Sequence, residues 1–245
     1  MRSVAVYSLK GGVGKTTLAV NLAWAAAILS SRRTLLWDLD GQAGATFLVG
    51  GPDLKGAGQA QALFSRELDP DKLIRRTGTD RLDLLPADRS LRGLDRLFHT
   101  LGKKKRLERL LEAVGKAYDR VVLDCPPGLT ETSEQVLRAA DAVIVPVIPS
   151  PMSQRALDEV VRHLDRNGLR RGPILPVYNM VDRRRSVHRA ALEENPDWPV
   201  IPMASAIEAM ATHRQAIWAF APRAPAAEAL ARLWTATERR LAKGG

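Results

Sequence analysis

Residues 9–17, Leu-Lys-Gly-Gly-Val-Gly-Lys-Thr-Thr, bring three glycines, two lysines and two hydroxyls into nine positions. That mixture suits the holding of a phosphate chain. Glycines at 11, 12 and 14 can take positive φ values and let successive backbone N–H groups converge on an anion with no Cβ in the way. Lys15 then offers a point charge to the terminal phosphates, and the hydroxyl of Thr16 is placed to ligate Mg²⁺. Val13 and Thr17 complete the stretch lining the phosphates. Such a loop works between a strand and a helix N-terminus, whose dipole adds to the attraction. The flanking sequence supplies both, because residues 3–7 (SVAVY) read as a strand and residues 15–29 as a helix. A glycine-rich turn with incidental lysines would lack that setting.

Carboxylates recur where further strands end. WDLDGQAGAT places Asp38 and Asp40 at the end of a strand over 34–38, and RVVLDCPP places Asp124 at the end of one over 120–124. A doubly wound sheet presents residues to its ligand at those ends. Asp124 could hold Mg²⁺ directly or through water. Asp38 could equally cap a loop or pair with a lysine. Strands are also expected at 82–86, 142–147 and 174–178, with helical patterns between most of them. Runs such as VVL and AVIVPV lack polar alternation, as central parallel strands covered on both faces do. The fold expected is α/β, a doubly wound, mostly parallel sheet with helices on both faces, in a single domain over 1–245. Residues 50–58 (GGPDLKGAG) read as a surface loop, and a closing helix follows Pro222, with Ala229, Leu230, Leu233, Trp234 and Leu241 at helical spacing.

Composition bounds the partners. The chain has 245 residues, 45% of them hydrophobic and 26% charged, near the usage of a folded globular protein. Lys and Arg number 37 against 27 Asp and Glu, a net charge of +10, which favours a polyanion, either nucleic acid or an anionic membrane surface. The single cysteine, Cys125, excludes an intrachain disulfide and a multi-cysteine metal site, so a cytoplasmic location is expected. No apolar run approaches the length that spans a bilayer.

The loop departs from the spacing G-x-x-x-x-G-K-[ST], because Leu9 stands five positions before Gly14. In the form KGGVGKT, with an early Lys10, it resembles the deviant Walker A motif of the ParA/MinD superfamily. The resemblance covers nearly the whole chain, since DLDGQ, LDCPP, VPVIPSPMS, YNMVDRR and the closing AP-x(3)-AA segment fall in the family's order. It implies a P-loop ATPase that uses ATP and Mg²⁺. By the same resemblance Lys10 reaches the γ-phosphate across an ATP-sandwiched homodimer, and Asp40 orients the attacking water and joins Thr16 and Asp124 as a residue of the metal site. Asn179 matches the position that contacts adenine. Gly41 stands where the family's D-x-D-P-Q motif has proline. With Lys10 so early there is no room for a preceding helix-turn-helix, and the match is to the small ParA type.

Arg183, Arg184, Arg185 and Arg189 lie in RRRSVHR, a stretch free of acidic residues; residues 103–109 (KKKRLER) read as a solvated helix face. ParA relatives bind non-specific DNA with arginines of both subunits in the first region. Dimerisation would then double the phosphate contacts, and affinity rises steeply with their number. The function expected is an ATP-dependent positioning protein associated with the nucleoid. A ParB-like protein or cargo adaptor would stimulate slow hydrolysis. The cargo would be a plasmid or chromosome locus or a large protein complex. The alternative is a MinD-like membrane-associated ATPase, for which the closing helix with its leucines, Trp234 and arginines is the candidate. Metallocentre enzymes of this fold need further cysteines, and a tyrosine kinase needs a tyrosine-rich tail, whereas the tyrosines here are Tyr7, Tyr118 and Tyr178.

Overall fold

Val4, Ala5 and Val6 are all fully buried in strand β1 (Arg2–Val6), as an apolar run without polar alternation requires of a strand covered on both faces. The computed structural model describes residues 1–51, 59–65, 69–101, 105–168 and 172–243. After β1 come β2 (Thr34–Asp38), β3 (Arg75–Arg76), β4 (Leu82–Leu85), β5 (Arg120–Asp124), β6 (Ala142–Val147), β7 (Ile174–Val181) and β8 (Val200–Pro202). They form one sheet in the order β3-β4-β2-β5-β1-β6-β7-β8, parallel throughout except for the β3–β4 pair. The chain leaves β1, the strand between β5 and β6, through the glycine loop, so that loop opens where the sheet's winding reverses.

Alternate residues of each strand feed the two sides. Ala5, Leu35, Trp37, Val121, Leu123, Val143 and Val145 pack under the helices Arg106–Val114, Glu131–Ala139 and Pro151–Arg166. Val4, Val6, Leu36, Leu84, Val122 and Ile144 face the helices Lys15–Ile28 and Pro225–Lys243. Within Lys15–Ile28 a buried amide, Asn21, donates to the Thr17 carbonyl (2.8 Å) and accepts from the Ile217 N–H (3.0 Å), locking the helix to the segment after Met210.

Strands expected at 34–38, 120–124 and 142–147 have those bounds, and the others start or stop within a few residues of expectation. β7 runs on to Val181, past the expected end at 178, and the two edge strands β3 and β8 are too short to carry a pattern. Residues 52–58 of the expected surface loop lie outside the described residues.

The closing helix is part of the core. Leu230, Leu233, Trp234 and Leu241 are each at most 4% exposed. Trp234 donates its indole N–H to Ser30 Oγ (2.8 Å), and Glu238 takes a two-pronged hydrogen bond from Arg120 (2.6 and 2.8 Å). The apolar face on which the membrane alternative rested is therefore buried in the core. Among the described residues no helix is long and apolar enough to cross a bilayer.

Candidate nucleotide site

The phosphate loop follows β1 and ends at the N-terminus of Lys15–Ile28. Gly12 (φ 72°) and Gly14 (φ 86°) take the left-handed conformation that the sequence pattern expects. Gly11 does not, and a Cβ there would meet no protein atom within 4 Å, so its value lies in close approach of a ligand. Gly11 and Gly12 are exposed, whereas Val13 is buried and fixes the loop to the core. Thr16 and Thr17 sit in the first helical turn, half-buried.

Lys15 is 7% exposed, and its ammonium donates across the loop to the Lys10 carbonyl (2.9 Å). Burial lowers its pKa; Asp124, Cys125 and Asp40 oppose that shift. The Lys10 ammonium is half-exposed and has no hydrogen bond or ion pair among the described residues.

The carboxylates converge from two adjacent strands. Asp38 and Asp124 are register partners at the ends of β2 and β5, and both are fully buried. Asp38 has a structural employment: Oδ1 accepts from the Asp40 N–H (3.1 Å) and Oδ2 from the N–H and hydroxyl of Thr46 (both 2.8 Å). It thus pins the turn between β2 and the helix Gly44–Val49, the loop-holding role left open by sequence. Burial pushes its pKa up to about 6. Asp124 has no such partners, and among the described residues neither carboxylate oxygen makes a hydrogen bond. Burial and then the neighbouring Asp38 raise its pKa well above the carboxylate range; the nearby Thr16 hydroxyl and Lys15 offset this only in part. Two orphaned buried oxygens beside a threonine hydroxyl and a lysine fit a Mg²⁺ site that also takes phosphate oxygens.

Asp40 stands half-buried on the same loop, accepting the Gln42 N–H (2.9 Å) in a local turn. Gly41 is explained by its neighbour. A Cβ there would come within 3.0 Å of Arg92 Cγ and 3.2 Å of the Arg92 nitrogen, so any larger residue would press on the short helix Arg89–Gly93. Gly44 is similarly close to Thr16, with a Cβ 3.3 Å from its hydroxyl oxygen, so this loop folds directly over the threonine. Sequence reasoning missed Arg92, Thr46 and Gly44, because their importance comes from contacts distant along the chain. Cys125 is fully buried, and burial raises its thiol pKa, as suits an inert core residue.

Asn179, near the end of β7, is buried against the loop and donates to the Val13 carbonyl (2.8 Å). Beyond it the arginines are exposed, and they are not equivalent. The stretch loses its acid-free character in three dimensions: Asp182 holds Arg184 through two hydrogen bonds of 2.9 Å and itself sits at a pKa of about 2 because of that partner. Arg189 donates to the carbonyls of Arg183 (3.1 Å) and Arg184 (3.0 Å), bracing the turn. Arg183 and Arg185 are left without an ion pair among the described residues. In the other basic run, residues 103 and 104 lie outside the described residues, and Arg106 corrects the expectation of a solvated face: it is buried and donates to the Leu63 and Phe64 carbonyls.

Residues 1–170 match the AAA domain family model AAA_31. The chain is 30% identical over 243 residues to the sporulation initiation inhibitor protein Soj of Bacillus subtilis, covering 92% of this chain and 93% of that one. It is 33% identical over 198 residues to the chromosome partitioning protein ParA of Caulobacter vibrioides, covering 76% and 72% respectively. Its backbone is similar to that of cobyrinic acid a,c-diamide synthase from Mycobacterium smegmatis with bound ATP analogue and magnesium, at a TM-score of 0.82 and 27% identity, covering 100% of this chain and 97% of that one.

Proposed function

Since the chain belongs to the ParA-type partition ATPases, and so hydrolyses ATP with Mg²⁺, we propose that it is a nucleotide-gated DNA-binding switch that positions or segregates a cargo. In this reading ATP closes a homodimer, the closed dimer holds non-specific DNA, and a ParB-like protein or cargo adaptor stimulates hydrolysis and releases it.

The residues divide the work. Residues 11–17 cradle the phosphates through backbone N–H groups, and Lys15 exchanges its carbonyl partner for phosphate oxygens. Thr16 and Asp124 would hold Mg²⁺, which when bound spreads the negative charge of the transferring phosphoryl group. Asp40, close enough to Lys15 and Asp124 to perturb both, orients the water that attacks the γ-phosphorus as its bond to the bridging oxygen breaks. The Lys10 ammonium extends toward the γ-phosphate of a second copy.

The observation that carries the DNA reading is the end of β7. Asn179 there is bonded to the phosphate loop, and a few residues on Arg183 and Arg185 stand exposed and without an ion pair among the described residues. A change at the loop therefore has a short covalent route to cations that suit a phosphate backbone.

Binding to non-specific duplex DNA, measured with ATP, with ADP and without nucleotide across a salt series, tests the proposal. Tight binding is expected with ATP alone. Arg183→Ala with Arg185→Ala should weaken it and flatten the salt dependence by about one counterion per arginine lost. Asp40→Ala should bind ATP and stay on DNA. Binding to anionic liposomes, with no DNA binding in any state, would replace this reading with the membrane one.

A further inference from the structure

The geometry points to Asn179 as a positioning residue for the phosphate loop; we propose that its side-chain amide, backed by Met180, holds the loop in its anion-binding conformation. This is distinct from any contact of Asn179 with a base.

Asn179 is 3% exposed, and its Nδ2 donates to the Val13 carbonyl (2.8 Å), a bond between buried groups 166 residues apart. The carbonyl it takes belongs to the residue immediately before Gly14, which precedes the helix at φ 86°. Orienting that peptide fixes the direction of the Gly14 N–H, one of the donors a phosphate would use.

The fit is close from above as well. A Cβ on Gly14 would overlap Asn179 Nδ2 and lie 3.4 Å from Met180 Cε, so the two side chains occupy the space over this glycine. Gly14 is thus required twice, by its left-handed backbone and by the residues resting on it.

The clamp is itself held in an unfavourable backbone. Met180 takes φ 56°, a conformation that side chains disfavour, at the place where the register of β7 with β8 shifts between Tyr178 and Val181. That kink turns Asn179 and Met180 toward the loop. Tyr178 anchors the strand from the other side: its hydroxyl donates to the Ala191 carbonyl (2.8 Å) and accepts from Asn195 (3.0 Å), and its ring lies 4.8 Å from that of Trp198. A strained residue maintained between a rigid anchor and a ligand loop is expected where the loop's shape matters to function.

The inference rests on residues 9–17 being the phosphate loop, and the test separates the two. Affinities for Mg²⁺·ATP and Mg²⁺·tripolyphosphate, which has no base, are measured for the native chain, Asn179→Leu and Asn179→Ala, with ligand-free melting temperatures as the control on folding. The clamp predicts that both variants lose affinity for both ligands by a similar factor, roughly three- to tenfold for one hydrogen bond, because leucine keeps the bulk but not the donor. Loss for ATP with unchanged tripolyphosphate binding would make Asn179 a reader of the base and overturn the proposal. Native-like affinity of Asn179→Leu for tripolyphosphate would overturn it too, reducing the contact to packing. A native chain that binds neither ligand would overturn the phosphate-loop reading itself. Should both variants fail to fold, hydrogen exchange at the Asn179 side-chain amide of the native chain decides: slow exchange without ligand supports the clamp, and exchange at the rate of an exposed amide overturns it.

Discussion

Asp124→Asn is expected to melt at a higher temperature than the native chain when no nucleotide is present, and at a lower one when Mg²⁺·ATP is saturating. The first half follows from burial. Asp124 lies among Asp38, Asp40, Lys15, Thr16 and Cys125, and among the described residues the Thr16 hydroxyl and the Lys15 ammonium are close to its two oxygens without forming a geometrically good hydrogen bond to either. An unsatisfied buried polar group costs about 1–3 kcal/mol, more when charged, so removing the charge should recover a sum of that order, a few degrees in Tm for a chain of this size. The sign with pH is fixed. The folded pKa of Asp38, about 6, and that of Asp124 lie above their unfolded values, so the folded chain binds more protons. Their contribution to stability is full below about pH 4 and is lost as pH rises through the folded values. The ligand-free native chain should therefore lose stability as pH rises from about 4 through about 6, and Asp124→Asn should lose less. The second half follows from linkage. A ligand at a hundred times its Kd adds about 2.7 kcal/mol to the native state, and a chain that holds Mg²⁺ poorly forgoes most of that. Thermal unfolding at pH 8 with and without Mg²⁺·ATP measures both effects. A lower ligand-free Tm for the variant would mean that the carboxylate is satisfied in the folded state.

The same carboxylates show what was legible in the sequence. The phosphate loop could be read residue by residue, because its function depends on neighbours along the chain: glycines for the backbone, Lys15 for charge, a strand before and a helix after. The central strands β2, β5 and β6 were readable for a similar reason, each being a short apolar run that ends in a turn signal. Asp124 could be placed at a strand end, but its isolation could not be inferred. Asp38 and Asp124 look alike in sequence, each closing an apolar strand, and only the fold gives one of them Thr46 and leaves the other bare.

What escaped the sequence was which group each side chain meets once the chain is folded. Gly41 reads as a departure from a motif, yet its smallness is set by Arg92, about fifty residues on. Four arginines read as one patch, yet Asp182 and two carbonyls engage two of them and leave Arg183 and Arg185 to meet a partner. The edge strands β3 and β8, of two and three residues, carry too little periodicity to be seen; pairing with a longer neighbour makes them strands.

Lys15→Ala should weaken ATP binding by about thirtyfold or more, and its effect on the empty protein should run opposite to that of Asp124→Asn. In the ligand-free chain the Lys15 ammonium has one carbonyl partner and sits close enough to Asp124 for each to shift the other. With ATP bound it would meet phosphate oxygens in a site shielded from water. Removing one partner of a buried charge pair costs roughly 2–5 kcal/mol, which corresponds to about thirty- to several-thousand-fold in affinity. Without nucleotide the substitution takes away the cation nearest to Asp124, so the carboxylate becomes costlier to bury and the chain should melt below the native one. The double variant Lys15→Ala with Asp124→Asn then decides whether the two residues form a unit. If they do, losing the lysine should matter less once the carboxylate is neutral, with a coupling of about 0.5–3 kcal/mol between them. Strict additivity in the unfolding free energies would mean that the two charges do not sense each other and that Lys15 serves the nucleotide alone.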